Sequence, residues 1–208
     1  MQHVVFAAII AILPCAAYAD MTDFGPGTQL GRVTTAAPLE GPARRTYAHF
    51  RSQMGYFGAF AASPSTGATF WIRNFYDAGT ARAAAVQGCA VLSGTDDCEI
   101  YAIMMPETLP LDQSQATGLS AAARDGMATV YQENREPGKF AAFAISGANH
   151  YGYAKAWDSA EAARDTALAY CQRGVARDMA EIRPEGRAWV RARGMDTCRV
   201  IDVEQTPE

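Results

Sequence analysis

Four cysteines in the body of the chain form two pairs that recur at equivalent places. Cys89 and Cys171 each close an alanine-rich segment, and Cys98 and Cys198 each open a short apolar run. Self-similarity of this kind predicts that one supersecondary unit is built twice. Four cysteines allow three pairings, and the repeat favours the one that joins Cys89 to Cys98 and Cys171 to Cys198.

The same repeat is visible in the residues that precede each cysteine pair. Residues 57–63 read Phe-Gly-Ala-Phe-Ala-Ala-Ser, and residues 140–146 read Phe-Ala-Ala-Phe-Ala-Ile-Ser. Short apolar and aromatic runs of this length are typical of strands. Turn residues follow each run, and a return run then covers residues 69–74 in the first case and 151–156 in the second. Each repeat is therefore predicted to contain a β-hairpin.

One helix is predicted before each hairpin in the sequence and another after it. Residues 39–51 and 119–133 have helical composition, and Asp77 and Ser159 are suitable N-caps for the helices that lead to the cysteines. A last strand follows the second cysteine of each pair. The predicted fold class is α+β, with two tandem α-β-β-α-β repeats, antiparallel hairpins, pseudo-twofold symmetry and one disulfide within each repeat.

The N-terminus has the pattern of a secretory signal peptide. An apolar run covers residues 4–13, Pro14 ends it, and Ala-Tyr-Ala at 17–19 supplies the small residues of a cleavage site. The alternatives are a retained anchor, which needs about 20 apolar residues, and a lipoprotein modified at Cys15, where a small preceding residue is usual. We expect a bacterial periplasmic or secreted protein with no membrane span after cleavage and with disulfide-bonded cysteines.

These patterns divide the chain into consecutive segments. They are a signal peptide at 1–19, a flexible N-terminal extension at 20–38, a first repeat at 39–106, a linker at 107–118 and a second repeat at 119–208. The second repeat differs from the first by an arginine-rich insertion, 172–197, between its cysteines. We expect the preceding helix to end near Arg173 and the insertion to form a loop.

Aromatic and arginine side chains are the candidate binding residues. They are Trp71, Tyr153, Trp157, Arg187, Trp189 and Arg191. A cationic loop with a tryptophan suits an anionic sugar, a lipid headgroup or an acidic protein, and outward aromatics suit a carbohydrate or a protein. The alternative is that the aromatics belong to the core and that the arginines form local ion pairs on a solvated face.

We find no established catalytic motif in the sequence. Phosphate-binding glycine loops, the zinc-protease helix and the serine-hydrolase elbow are missing. Ser146 and His150 are near enough in sequence to touch, but a triad also needs an orienting acid and an oxyanion hole. A deep polar pocket in which His150 or His49 meets a carboxylate would favour catalysis. The wide cysteine spacing is unlike a structural zinc site, so we expect no metal and no cofactor.

The net charge of the chain limits the classes of partner that we expect it to bind. The formal net charge is −4, which disfavours a nucleic-acid partner. We expect a non-catalytic binding or interaction module whose partner is an envelope or extracellular ligand or protein. The alternative is a small periplasmic enzyme of a type that the motifs do not reveal.

The order of these features resembles a known family. An apolar strand, a Ser-Pro-x-x-Gly turn at 63–67, an aromatic return strand, an alanine-rich helix and two close cysteines are similar to the DUF4189 domains of secreted bacterial proteins. Residues 57–105 carry this likeness, which implies a small disulfide-bearing unit of unknown function. The duplicated arrangement also resembles short secreted bacterial proteins that sometimes carry a 5-aminolevulinate synthase name. We do not expect that activity, because such a synthase is a large cytoplasmic enzyme that uses pyridoxal phosphate.

Overall fold

The computed structural model describes residues 21–33, 38–53, 55–148 and 150–208. The predicted signal peptide and Cys15 lie outside these residues. Five α-helices and seven strands follow one another along the described chain, and the strands form two antiparallel sheets. The predicted α+β class is therefore confirmed. Within the same ranges, no helix is both long and apolar enough to cross a membrane.

The first sheet has four strands in the spatial order β1-β4-β2-β3. They are β1 (Thr28–Arg32), β2 (Gly58–Ala62), β3 (Thr69–Ile72) and β4 (Glu99–Pro106). Helix α1 (Gly41–Ser52) precedes β2, and α2 (Ala78–Ser93) connects β3 to β4. Asp77 caps α2 as predicted, because its side chain accepts a hydrogen bond from the Thr80 amide.

Helices cover both faces of this sheet. Ala59, Ala61 and Ile103 belong to the cluster that packs under α2. Phe60 and Met104 point the other way and pack with Phe50 of α1. Alternation of this kind along a strand follows from the pleat, and it buries β2 along its whole length.

The second sheet has three strands in the order β6-β5-β7. They are β5 (Phe140–Ser146), β6 (Tyr151–Trp157) and β7 (Cys198–Gln205). Helix α3 (Ala121–Gly126) continues into a π-helical turn (Met127–Tyr131) before β5, and α4 (Ala160–Glu181) and α5 (Pro184–Ala192) lie between β6 and β7. Ser159 caps α4 by accepting a hydrogen bond from the Ala162 amide, as predicted.

Helix α4 lies directly on the second sheet. Ala163, Ala167 and Cys171 form one buried stripe of the helix and pack against β5 and β6. Gly152 of β6 makes this possible, because a Cβ there would overlap the Ala167 carbonyl oxygen and the Cys171 amide nitrogen. Small residues on both elements thus set the close distance between the helix and the sheet.

Both predicted disulfides are present. One joins Cys89 to Cys98 and the other joins Cys171 to Cys198. The helical cysteine of each pair is fully buried. Each bond therefore attaches the helix that follows a hairpin to the strand that comes next, and the predicted pairing is confirmed.

The expected flexible N-terminal extension contains a strand. Residues Thr28–Arg32 form β1, which pairs antiparallel with β4 from Thr28 opposite Pro106 to Arg32 opposite Ala102. The prediction of irregular structure is wrong for these five residues. These residues pair with a distant strand, and Leu30 is their one large apolar side chain, so the segment shows no hydrophobic alternation from which a strand could be predicted.

The expected arginine-rich loop is mainly helical. Helix α4 continues past Arg173 to Glu181, and α5 follows after a short break. The prediction that the helix ends near Arg173 is wrong. Val175 and Met179 extend the buried stripe of α4 at intervals of one helical turn, so the helix keeps an apolar face beyond Cys171.

Candidate functional site

The six predicted binding residues lie in three different places. Trp71 and Trp189 border a cleft between the two halves of the chain. Tyr153 and Trp157 line a groove beside β6. Arg187 and Arg191 belong to α5 and line neither of these two surfaces.

The two arginines take part in contacts within their own segment. Arg187 Nη1 donates a hydrogen bond of 2.8 Å to the Ile182 carbonyl oxygen at the end of α4. Arg191 Nε lies 3.9 Å from Asp196 Oδ2. These contacts stabilise the break before α5 and the turn after it. The Arg191–Asp196 contact is a local ion pair of the kind expected if the arginines form a solvated face rather than a binding surface.

The two tryptophans of the cleft have different roles. The ring centroid of Trp71 lies 5.8 Å from that of Phe50, within the aromatic cluster on the α1 side of the first sheet. Trp189 packs against the cluster on the α2 side, and the Arg193 guanidinium carbon lies 4.1 Å from its ring centroid. Trp189 therefore contributes its side chain to the cleft wall, whereas the Trp71 ring lies on the opposite face of β3.

A largely apolar cleft of about 600 Å³ lies between β3 and α2 on one side and α4 and α5 on the other. We call it the apolar cleft. Its walls include Phe70, Ile72, Val91, Val175, Met179, Ile182, Trp189 and Val190. A partly enclosed apolar volume of several hundred Å³ between two packed units is typical of a small-molecule site.

Local sequence features shape the two walls. Gly88 of α2 has no side chain, and a Cβ there would overlap the Phe70 ring, so glycine lets this ring lie against the helix. On the other side, Val175 and Met179 are four residues apart and therefore share one face of α4, and Ile182 directly follows the end of this helix. An aromatic strand thus faces an aliphatic helix across the cleft.

One titratable pair lies on the wall of the apolar cleft. His150 Nε2 is 3.0 Å from Asp178 Oδ2, and the His150 side chain is only 15% exposed. Burial lowers the pKa of His150, and the Asp178 carboxylate opposes this shift in part. In the neutral imidazole, Nε2 can donate a hydrogen bond to Asp178. The other ring nitrogen, Nδ1, faces Gly174, and a Cβ added to this glycine would lie 2.9 Å from Nδ1.

The Ser146 hydroxyl does not contact the His150 ring in this arrangement. Ser146 Oγ accepts a hydrogen bond of 3.3 Å from the His150 main-chain amide and donates one of 3.1 Å to the Ala148 carbonyl oxygen. The hydroxyl therefore stabilises the hairpin turn. In the part of the chain that the structure describes, no group of three or more His, Cys, Asp or Glu side chains could hold a metal ion.

Neither the aliphatic wall nor the His150–Asp178 pair was predicted from the sequence. A signal for the wall was present, because Cys171, Val175, Met179 and Ile182 continue a helical spacing into the supposed loop. The pair had no comparable signal, since it joins a hairpin residue to the far part of a long helix. Compared with protein-family models, curated proteins and solved structures, the chain has no match.

Proposed function

We propose that the protein is a non-catalytic binding module, exported to the periplasm or secreted, that holds an uncharged and largely apolar small molecule in the apolar cleft. The observation that carries this proposal is the cleft itself, with about 600 Å³ between walls of aromatic and aliphatic side chains. Apolar surface in contact with water is unfavourable, and a matching ligand would remove it from water.

The charges at the cleft favour an uncharged ligand. Asp178 contacts His150 through one carboxylate oxygen and lies 3.5 Å from Arg177 Nε through the other. Asp196, at the rim, faces Arg191. Asp178 and Asp196 thus already have partners, so a charged ligand group buried beside these two carboxylates would lose its hydration without gaining a new ion pair. Arg73, Glu181 and Arg183 also line the cleft, so this loss is expected in the part of the wall beside Asp178 and Asp196.

A small enzyme is the second candidate, because His150 meets a carboxylate as a catalytic histidine often does. Two observations weigh against it. Most of the surrounding wall is apolar, and Nδ1, the ring nitrogen that Asp178 does not contact, faces Gly174 of α4. A general base needs a free nitrogen within hydrogen-bond reach of its substrate.

Export of the module and its formation by duplication are part of the same proposal. Export rests on the signal-peptide pattern, and the two disulfides suit an oxidising compartment. Duplication of an α-β-β-α-β unit is supported by the strand orders β4-β2-β3 and β7-β5-β6, in which each hairpin receives the following strand at the same edge. The resemblance to DUF4189 domains accords with this unit and supplies no activity.

The uncharged fluorophore N-phenyl-1-naphthylamine tests the proposed site. We expect saturable binding to one site per chain, with a Kd on the order of micromolar. The substitution Ile182→Asp should weaken this binding by about tenfold or more, because it places a carboxylate in the apolar wall. Fluorescence titration of the folded variants, with folding checked by circular dichroism, measures the effect.

Val33→Asp is the matched control, since it introduces the same carboxylate in place of another branched aliphatic residue. Val33 is 43% exposed and lies outside the apolar cleft. This variant should keep the parent affinity. Equal affinities of both variants for the fluorophore, or fluorescence that rises without saturation, would contradict the proposal.

A further inference from the structure

The outer edge of β6 has no partner strand in the described chain. β6 is an end strand of the second sheet and pairs only with β5. The His150 carbonyl accepts a hydrogen bond of 2.9 Å from the Ser146 amide, so His150 directs its main-chain groups toward β5. Along an antiparallel strand, the main-chain groups of successive residues point alternately toward the neighbouring strand and away from it. Tyr151 and Tyr153 therefore direct their amides and carbonyls toward the open edge.

A groove runs along this edge, between β6 and one side of α4. It has a volume of about 700 Å³ and includes the consecutive residues from His150 to Lys155. Its other bank is formed by Thr166, Tyr170, Arg173 and Arg177 of α4. Those four residues follow one another at intervals of three and four, as residues on one side of a helix do. We call this surface the edge groove.

The edge groove is cationic although the chain is acidic. Lys155, Arg173 and Arg177 line it, and its lining in the described chain contains no Asp or Glu. The formal net charge of the whole chain is −4. The Arg177 side chain is 74% exposed. Lys155 is held in place because its Nζ donates to the carbonyl oxygens of Val130 and Glu133.

Two large aromatic side chains beside the groove are exposed. Trp157 is 40% exposed and Tyr170 is 52% exposed. The Arg173 guanidinium carbon lies 4.2 Å from the Tyr170 ring centroid, so the cation and the ring form one surface. Exposed aromatic rings next to arginine are characteristic of residues that contribute strongly to protein interfaces.

We propose that the edge groove binds an extended acidic peptide segment of a partner protein, which adds to β6 as a fourth strand of the second sheet. The open main-chain groups of Tyr151 and Tyr153 supply the hydrogen bonds of strand addition, and the cations of Lys155 and Arg173 select acidic side chains. An acidic peptide accounts for both the open strand edge and the positive charge of the groove, whereas a polyanionic sugar would use the positive charge alone. The edge groove and the apolar cleft share His150 in their linings, but the substitutions that test them, at Arg173 and at Ile182, each lie in one surface alone, so either proposal can fail without the other.

Two end-capped octapeptides test this proposal on the full chain. One alternates glutamate with valine and the other alternates lysine with valine. We expect only the acidic peptide to bind and to slow hydrogen exchange at the amides of Tyr151 and Tyr153. The amides of Gly152 and Ala154, which point toward β5, should change little. Amide exchange measured by NMR separates strand addition from mere charge attraction.

Arg173→Glu should weaken binding of the acidic peptide by about tenfold, because it reverses one charge at the groove. Arg164→Glu is the matched control, since Arg164 is an exposed residue of the same helix outside the edge groove. It should keep the parent affinity. Equal weakening in the two variants, peptide binding without slowed exchange at Tyr151 and Tyr153, or binding of polygalacturonate alone would each overturn the proposal.

Discussion

His150 contacts groups from three parts of the chain. Its ring meets Asp178 of α4, its carbonyl accepts a hydrogen bond from the Tyr76 hydroxyl before α2, and its amide donates to Ser146 of β5. Its side chain lines both the apolar cleft and the edge groove. A change in its protonation therefore affects the place where the two halves of the chain meet.

Replacement of His150 should change the pH dependence of stability. Burial lowers the pKa of His150 below its ordinary value of about 6.5. As the pH falls through 6.5 toward the folded-state pKa, the unfolded chain takes up a proton that the folded chain does not, so the free energy of unfolding decreases. His150→Gln should lose this part of the decrease. Urea denaturation between pH 5 and pH 8 measures it.

His49→Gln is the matched control for this substitution, because His49 is an exposed histidine on α1. It should retain the pH dependence of the parent protein. If His150→Gln also retained that dependence, burial of the imidazole would not be coupled to folding.

Asp97, the residue before Cys98, has a structural role. Asp97 accepts hydrogen bonds from the Ser63 hydroxyl at 2.7 Å and from the Ser65 amide at 2.9 Å. Hydrogen bonds from Ser65, Thr95 and Ser63 lower the pKa of Asp97. The carboxylate thus joins the loop after α2 to the turn between β2 and β3.

At the scale of elements, the two disulfides have the same topology and close loops of different length. The sequence separation is 9 for Cys89–Cys98 and 27 for Cys171–Cys198. The longer segment contains the end of α4 and all of α5. Cross-linking a longer loop removes more conformational freedom from the unfolded chain.

Removal of the two bonds should therefore have unequal effects. Replacement of Cys171 and Cys198 by alanine should lower the free energy of unfolding by about 3.5 kcal/mol, and replacement of Cys89 and Cys98 by about 2.5 kcal/mol. Each double variant is the control for the other, since both lose one disulfide and one fully buried helical cysteine. Equilibrium denaturation in urea gives the two values, and the reverse order would contradict this explanation.

At the scale of the whole molecule, the two halves share a hydrophobic cluster. Met195, which follows α5, is 4% exposed and belongs to a cluster whose other buried members all come from residues 56–116. Trp189 and Val190 of α5 pack against the same cluster. The arginine-rich segment therefore connects the halves and closes one side of the apolar cleft.

Met195→Ala should lower the free energy of unfolding by about 2–5 kcal/mol, because it leaves a cavity between the halves. The parent protein should unfold in one transition that is the same by tryptophan fluorescence and by circular dichroism. Val33→Ala, at a site 43% exposed, is the control and should change the free energy by less than about 0.5 kcal/mol. Two separate transitions in the parent protein would show that the halves are not coupled.

The sequence by itself determined the features that depend on neighbouring residues. The caps at Asp77 and Ser159 need only the next few amides, and the hairpins need a turn between two apolar runs. The disulfide pairing was predicted from the proposed repeat, in which each helical cysteine precedes the cysteine next to the following strand. The caps and hairpins are encoded within short stretches of chain, and the pairing required a comparison of two such stretches.

Only the tertiary structure decided which distant segments meet. β1 forms by pairing with β4, although its own five residues show no hydrophobic alternation. The His150–Asp178 contact depends on how far α4 extends. The apolar cleft exists because α4 and α5 pack opposite β3 and α2 at a distance that leaves space. Side-chain periodicity shows which face of an element is apolar, whereas the packing of whole elements decides whether that face is filled or remains open to a ligand.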